Sequence, residues 1–168
     1  MRRFFIILLL FVFCISLIFF VGLKEKIETK IYFYDPKTLR LVPEERNFEF
    51  SKWQSLFRRE YIAREVLLSL IEGPKDLKLR SPIPLGTKIL GVSVKNNIAY
   101  VNFSDELKRN HPGGSLGEML TVYSIVNTLT ELSWIKKVQI LINGAIVESL
   151  AGHIDLSEPL ERDLSLTK

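Results

Sequence analysis

The feature that most constrains this chain is an uninterrupted apolar run of twenty residues, Phe4–Leu23, close to its amino terminus. Arg2 and Arg3 precede the run, and Lys24 follows it directly. An α-helix rises about 1.5 Å per residue, so such a run spans roughly 30 Å, the thickness of the hydrocarbon core of a bilayer. Residues 1–23 are therefore predicted to form a transmembrane anchor, with the rest of the chain on one side of the membrane.

A cleaved signal peptide is the main alternative for this segment. Its apolar region is usually about 7–15 residues long and ends in small residues that a peptidase accepts. The run here is longer, and its one small residue near the end is Gly22. A retained anchor is therefore favoured over cleavage. A lipid-modified cysteine is disfavoured, because Cys14 follows Phe13 in the middle of the run.

The charges beside the run predict which way the anchor faces. Arg2 and Arg3 are uncompensated, whereas the lysines that follow the run alternate with glutamates. Basic residues favour the cytoplasmic side, so a single-pass helix with a cytoplasmic amino terminus is expected. Residues 24–160 are then predicted to form one extracytoplasmic domain of ordinary size, followed by a polar C-terminal tail over residues 161–168, expected to be partly loose.

Composition narrows the partners of the extracytoplasmic part. Of 23 basic residues, two are Arg2 and Arg3, so that 21 basic and 19 acidic residues remain and nearly cancel. No basic run is interleaved with aromatic residues, and a nucleic-acid partner is not expected. The one cysteine of the chain, Cys14, lies in the apolar run, so the domain has no intrachain disulfide. Its stability must come from a packed core.

Three predicted hairpins follow the anchor. These predictions rest on apolar residues at alternate positions within each strand and on turn-forming residues between paired strands. The Asn143-Gly144 pair is the strongest of the turn signals, because both residues tolerate positive φ. Pro43 interrupts its strand and indicates an edge position or a bulge. The paired strands are predicted over Ile27–Tyr34 with 39–50, Lys88–Val94 with Ile98–Phe103, and Val138–Ile142 with Ala145–Leu150.

Two predicted amphipathic helices separate the hairpins. The first covers residues 53–71, with Ser51 as a possible cap, and the Gly73-Pro74 pair ends it. Residues 75–87 then form a connecting loop. The second helix begins at Ser115, whose hydroxyl is predicted to form a capping box with Glu118 three residues later. Its apolar stripe is expected to pack on a sheet. Hairpins that alternate with helices predict an α+β fold, a mainly antiparallel sheet with two helices on one face.

Several segments, in this order, resemble the GerMN domain family, which is named for a sporulation and spore germination protein. They extend over residues 70–163 and are preceded by a matching strand at Ile31–Asp35. The matching segments are LIEGP from Leu70, SPIPLGTKILGV from Ser81, AYVNFS from Ala99, GGSLGE from Gly113, YSIVNTLTE from Tyr123, VQILING from Val138 and GHIDLSEP from Gly152.

The resemblance implies a membrane-attached or lipidated module outside the cytoplasm. It also implies a compact α/β fold that is similar to the ring-building domains of secretion-type assemblies, so self-assembly is possible. No reaction is implied. The protein that gives the family its name carries two such domains, whereas this chain has room for one and is expected to be a single-domain, membrane-anchored member.

The titratable residues do not form a recognisable catalytic or metal-binding pattern. The two histidines, His111 and His153, stand beside Pro112 and Gly152 in turn-like sequence, without partners at a familiar metal-ligand spacing. We therefore predict no enzyme activity, no cofactor and no metal. Replacing His111, His153 or Asp105 singly is expected to leave function largely intact.

A glycine pair before the second helix is the best candidate for a ligand contact. Free amide groups at a helix start can bind an anion, which points to Gly113, Gly114, Ser115 and Leu116. The segment lacks a phosphate-binding lysine motif, so a flexible entry into a capped helix is the alternative interpretation.

Two hypotheses for function remain open from the sequence. The first is a non-enzymatic binding or scaffold module, held at the membrane through residues 4–23, in a cell-envelope or sporulation-type assembly. Its partner would be another envelope protein or cell-wall material. The second is an envelope enzyme or binding protein that acts on peptidoglycan. A binding role needs only a tether and an exposed surface, and it is favoured for that reason.

Overall fold

The computed structural model describes residues 4, 6–7, 9–13, 24–51 and 58–168 of the chain. The described residues before position 14 are helical. Most of the predicted anchor, residues 4–23, lies outside the described residues, as does the start of the first predicted helix at residues 53–57. Among the described residues, no helix combines the length and the apolar character needed to cross a membrane. The spanning helix therefore stays a prediction.

Seven strands and three helices form the part of the chain that the structure describes beyond residue 23. The central sheet has the order β3-β4-β5-β6, with β7 also paired to β5, and β1 pairs with β2 in a separate two-stranded sheet. The elements are β1 (Lys24–Asp35), β2 (Arg40–Ser51), α1 (Arg58–Glu72), β3 (Ile89–Lys95), β4 (Ile98–Phe103), α2 (Glu106–Arg109), α3 (Ser115–Thr130), β5 (Lys137–Ile142), β6 (Ala145–Ile146) and β7 (Leu160–Glu161).

The chain divides into two compact units, and the boundary between them falls within the first hairpin. The smaller unit contains residues 1–28 and 47–58, and the larger contains residues 29–46 and 59–168. In the smaller unit the rings of Phe48 and Phe50 stack with their centroids 6.1 Å apart and an interplanar angle of 8°. All other features described below belong to the larger unit.

The three predicted hairpins are present, and the turns of the second and third have the expected backbone. Asn96 and Asn97 have φ values of 51° and 63°, and Asn143 and Gly144 have φ values of 49° and 82°. These are the left-handed conformations that a tight two-residue hairpin requires and that asparagine and glycine adopt at low cost. The third hairpin is shorter than predicted, because β6 contains only Ala145 and Ile146.

One pair of strands in the central sheet is parallel. β3 with β4, β5 with β6 and β5 with β7 are antiparallel, but β4 and β5 run in parallel from Ile98 opposite Lys137 to Phe103 opposite Ile142. A parallel pair needs a long crossover, and here the crossover contains α2 and α3. The predicted α+β class is confirmed, and the mainly antiparallel sheet is mixed at its centre.

Helix α3 is the centre of the larger unit. It packs against β5 and β7 of the sheet, and its residue Leu120 shares a buried cluster with Tyr32 and Leu41 of the hairpin. The helix is therefore covered on more than the one stripe that its apolar residues predict. Its buried residues include polar ones, among them Glu118, Thr121, Ser124, Asn127 and Thr128.

The C-terminal residues are held to the domain, contrary to the predicted loose tail. Strand β7 pairs with β5, and Leu41 exchanges backbone hydrogen bonds with Leu166 and Lys168 at 2.8 and 2.9 Å. The buried amide of Asn127 donates to the carbonyl of Asp163 at 2.6 Å and accepts from its N–H at 3.1 Å. The tail is polar in sequence because it lies on the surface, but its backbone is fully engaged at these points.

Candidate binding groove

An open, mostly apolar groove of about 310 Å³ is formed by described residues of the larger unit. Three segments form its walls: the turn between β1 and β2, the proline-containing loop that follows α1, and the start of α3. The lining residues are Tyr34, Leu39, Ser81, Pro82, Ile83, Pro84, Pro112, Leu116, Gly117, Leu120 and Thr121.

The proline-containing wall is fixed by hydrogen bonds rather than by regular structure. Tyr34 and Arg80 exchange backbone hydrogen bonds of 3.0 and 2.9 Å, which hold the loop against β1. The hydroxyl of Ser81 donates to the carbonyl of Leu70 at 3.0 Å, and that of Thr87 donates to the carbonyl of Pro84 at 2.7 Å. The loop is therefore held to β1 and to α1, and its last residues form a local turn.

The opposite side of the groove combines a buried floor with an exposed rim. Leu120 is buried against Tyr32 and Leu41, and the half-buried ring of Tyr34 packs on this cluster. At the rim, Leu39 has a φ of 54° and is 46% exposed. Leu116 is 37% exposed. A leucine in a left-handed turn conformation is uncommon, because its Cβ crowds the following carbonyl group.

His111 connects two of the walls through a chain of hydrogen bonds. Its Nδ1 accepts from the backbone N–H of Gly113 at 3.0 Å, and its Nε2 lies 3.2 Å from Oγ1 of Thr121. The Thr121 hydroxyl donates to the carbonyl of Pro82 at 2.8 Å, so it must accept from Nε2. Because Nδ1 accepts and Nε2 donates, the imidazole is neutral and carries its proton on Nε2.

Electrostatics favour the same neutral form. Burial lowers the pKa of His111 below its ordinary value, although the carboxylate of Glu118 and the backbone of Gly117 act in the opposite direction. Protonation of Nδ1 would place two donors against each other at Gly113. The imidazole therefore acts as a neutral bridge between the start of α3 and the proline-containing loop.

Glu118 is a fully buried carboxylate that fixes the loop after β6. One of its oxygens accepts from the N–H groups of Leu150 and Ala151 at 2.8 and 3.0 Å, and the other accepts from that of His153 at 2.8 Å. Its relative exposure is 0%. Three backbone donors occupy both oxygens. The loop therefore supplies the hydrogen bonds that water would otherwise donate to this carboxylate.

The four residues of the predicted anion contact lie beside the groove, and their local structure differs from the prediction. The N–H of Gly113 is engaged with His111, Gly114 is the residue before the helix with a φ of 80°, and Leu116 lines the groove. The predicted capping box is wrong: Ser115 is the first residue of α3, the cap position makes no side-chain hydrogen bond, and Glu118 points to the 150–153 backbone. A spacing of three residues does not reveal which way a glutamate faces.

The other singled-out polar residues lie apart from the groove lining. His153 is exposed and borders a polar cavity of about 580 Å³ formed by residues 148–157. Asp105 pairs with Arg109 at 3.4 Å on the surface of α2. In the described part of the chain, no three histidine, cysteine or carboxylate side chains are grouped so that they could hold a metal ion.

Sequence reasoning missed most of the groove. The sequence predicts Tyr34 and Leu39 as ends of two paired strands, Pro82 and Pro84 as part of a connecting loop, and Leu120 as part of the apolar stripe of a helix. A leucine inside a polar turn and three prolines at positions 82, 84 and 112 are the signals that could have indicated it, since large apolar residues in loops mark contact surfaces.

The fold is that of a small α+β domain, and the comparison with known families identifies which family it belongs to. Residues 30–148 match the family model described as "Germane: Sporulation and spore germination". The match covers well over half of the chain, and the chain belongs to this family. The resemblance to GerMN domains seen in the sequence is thereby confirmed.

Solved structures of similar proteins support the same fold. A "Putative Lipoprotein from Clostridium perfringens" is 26% identical, with 81% of this chain and 87% of that chain covered and a TM-score of 0.56. The first GerMN domain of the sporulation protein GerM from Bacillus subtilis is 24% identical, with 81% and 98% covered and a TM-score of 0.59. The tandem GerMN domains of the same protein are 24% identical, with 82% and 46% covered and a TM-score of 0.58.

No curated protein sequence matches this chain.

Proposed function

We propose that this protein is a non-enzymatic binding module that works outside the cytoplasm in a cell-envelope or sporulation-type assembly. The observation that carries the proposal is the apolar groove between Tyr34, Leu39, the proline-containing loop and Leu116. Sites that bind small ligands are concave and mostly apolar, with a few polar groups that fix the orientation of the ligand.

The polar groups beside the groove support a binding role over a catalytic one. A general acid or base needs a free proton-accepting or proton-donating atom that faces a substrate. The ring nitrogens of His111 contact Gly113 and Thr121, and both oxygens of Glu118 accept backbone N–H groups. These groups shape the walls, and the surface that they leave to a ligand is apolar.

The proposed location rests on the apolar run and on one similar protein. Residues 4–23 have the length and flanking charges of a membrane anchor with a cytoplasmic amino terminus. The similar structure from Clostridium perfringens is described as that of a lipoprotein, which also favours attachment to a membrane. The family description places related proteins in sporulation and spore germination.

The anion contact at the start of α3 stays a prediction, with fewer amide groups than the sequence indicates. Gly113 already donates its N–H to His111, so the amides that remain for a ligand are those of Gly114, Ser115 and Leu116.

A pull-down from detergent-solubilised envelope of the source organism tests the proposed function. The full chain is immobilised, and bound material is analysed for proteins and for peptidoglycan fragments, with the His111→Gln variant run in parallel. The parent chain is expected to bind a defined envelope protein without releasing cleaved peptidoglycan. Release of cleaved peptidoglycan by the parent chain, lost in His111→Gln while the thermal midpoint is kept, would contradict it and support the alternative of an enzyme that acts on peptidoglycan.

A further inference from the structure

Large apolar side chains are exposed at the rim of the groove, and solubility does not require them. Leu39 and Leu116 are 46% and 37% exposed at the rim. Leu85 directly follows the lining residue Pro84 and is 92% exposed, and its carbonyl is held by the side chain of Asn110 at 2.8 Å. Several leucines around one concavity favour a partner that inserts an apolar group.

The charges on the three wall segments are mostly positive. Residues 75–88 contain four basic residues and one acidic residue, and residues 35–40 contain two basic residues and one acidic residue. Residues 105–112 contain two of each sign apart from His111, and both acids there are bonded to Arg109, at 3.4 and 2.7 Å. The groove is therefore an apolar depression within a basic surrounding.

The acidic side chains of the other two segments are also engaged within the chain. Asp35 accepts from the N–H of Lys37 at 2.8 Å, and Asp76 accepts from the N–H of Lys78 at 2.9 Å. The ammonium groups of Lys37 and Lys78 belong to exposed residues of the same two segments. Counting these aspartates, residues 35–40 carry a net charge of +1 and residues 75–88 a net charge of +3. Complementary charge increases both the rate and the specificity of association.

We propose that the groove binds a polypeptide segment of a partner protein that inserts one large apolar side chain and carries acidic residues on either side of it. This assignment rests on the proposed binding function and specifies its ligand. A cavity of about 310 Å³ suits one large side chain. The leucines and prolines of the walls contact that side chain, while Lys37, Lys78 and Arg80 attract the flanking carboxylates.

The test uses the full chain, purified in mild detergent, to select binders from a random dodecapeptide library displayed on phage. Enriched sequences are expected to combine an aromatic or aliphatic residue with neighbouring Asp or Glu. Their affinity is then measured by fluorescence polarisation with the enriched peptide as probe. It is expected to fall at least tenfold for Leu39→Asn and for Lys78→Glu, and to fall with added salt because charges are screened.

Matched controls separate the groove from general changes of the surface. Leu164 is 48% exposed and does not line the groove, so Leu164→Asn is the matched control for Leu39→Asn. Asparagine tolerates the φ of 54° at position 39, and this variant is expected to fold. Lys95 is the last residue of β3 and does not line the groove, so Lys95→Glu is the control for Lys78→Glu. Both controls are expected to change the affinity less than twofold.

Three outcomes would overturn the assignment. The first is enrichment of basic or purely polar peptides, or of none. The second is equal loss of affinity in the control variants. The third is self-association of the parent chain in sedimentation, abolished by Leu39→Asn without any enriched peptide, which would identify a second copy as the occupant.

The same variants distinguish failure of the inference from failure of the proposed function. If the parent chain, Leu39→Asn and Lys78→Glu all retain the same envelope protein in the pull-down, binding stands and the groove is the wrong site. If the parent chain retains none, the binding function itself is wrong.

Discussion

Glu118 illustrates how much of this domain depends on single buried polar residues. Its carboxylate has no exposure to solvent, yet it carries three hydrogen bonds from the backbone of residues 150–153. Burying a carboxylate is costly unless donors replace the lost water. The loop supplies those donors, so the carboxylate and the loop stabilise each other.

Replacing Glu118 with glutamine is expected to lower the free energy of unfolding by about 1.5–3 kcal/mol, the usual contribution of hydrogen bonds to a charged group. The amide keeps one acceptor oxygen but turns its NH₂ group toward a backbone N–H, most directly that of His153. Urea denaturation measures the loss, and faster amide exchange at His153 locates it.

Glu148→Gln is the matched control, because Glu148 is an exposed glutamate in the same part of the chain. This variant should remain within about 0.5 kcal/mol of the parent chain, as surface substitutions usually do. Equal stability of the two variants would show that the contacts of Glu118 contribute nothing net.

At the scale of elements, a pair of charged residues on β2 holds the end of α1 and the loop that follows it. Glu44 accepts from the N–H groups of Lys75 and Asp76 at 3.0 Å each. Arg46 donates to the hydroxyl of Ser69 at 3.1 Å and to the carbonyl of Gly73 at 3.0 Å. This same loop continues into the proline-containing wall, so the pair fixes one end of the groove.

The Glu44 contact predicts a dependence of stability on pH. Burial by itself raises the pKa of Glu44, but the backbone donors of Asp76 and Lys75 and the guanidinium of Arg46 outweigh it and hold the pKa below its ordinary value of 4.5. A lowered folded-state pKa stabilises the domain fully above 4.5, and this contribution is lost as the pH falls through the folded-state value. Glu44→Gln should therefore be less stable at pH 7 and lose stability less steeply between about pH 5 and 3.

Urea midpoints measured across this pH range check the prediction, with the exposed neighbour Glu45→Gln as the control. A steep acid loss that persists unchanged in Glu44→Gln would assign the dependence to other carboxylates.

At the scale of the whole molecule, the C-terminal segment closes the domain. Tyr32 donates its hydroxyl to Glu131 at 2.7 Å and accepts from Arg162 at 2.6 Å, and Arg162 also pairs with Glu131. Burial, together with the hydrogen bond to Glu131, raises the pKa of Tyr32 to about 12, so this hydroxyl stays protonated as a donor at neutral pH. Strand β1, helix α3 and the C-terminal segment are thereby joined at one point.

Removing the buried amide next to this point should release the segment. Asn127→Ala is expected to lower the free energy of unfolding by about 1–3 kcal/mol, because the backbone N–H and carbonyl of Asp163 both lose their partner. Limited proteolysis should then cut within residues 160–168 faster than in the parent chain. Ser165→Ala, which changes an exposed hydroxyl of the same segment, should leave the cleavage rate unchanged; equal protection of both variants would mean that the other contacts suffice.

Local sequence determined a large part of this architecture. The hairpin turns at Asn96-Asn97 and Asn143-Gly144 were predictable, because the preference for positive φ belongs to those residues themselves. The end of α1 before Gly73-Pro74 follows from the same kind of intrinsic preference. The order of segments sufficed to recognise the family.

The tertiary structure alone decided which distant residues meet. The parallel pairing of β4 with β5, the direction in which Glu118 faces, and the attachment of residues 160–168 to Leu41 and Asn127 join parts of the chain far apart in sequence. The groove arises in the same way, because Tyr34, Pro82 and Leu116 come together only through packing. Sequence patterns encode the conformational preferences of neighbours, whereas the candidate site depends on contacts that exist only once the helix α3 has been buried between hairpin and sheet.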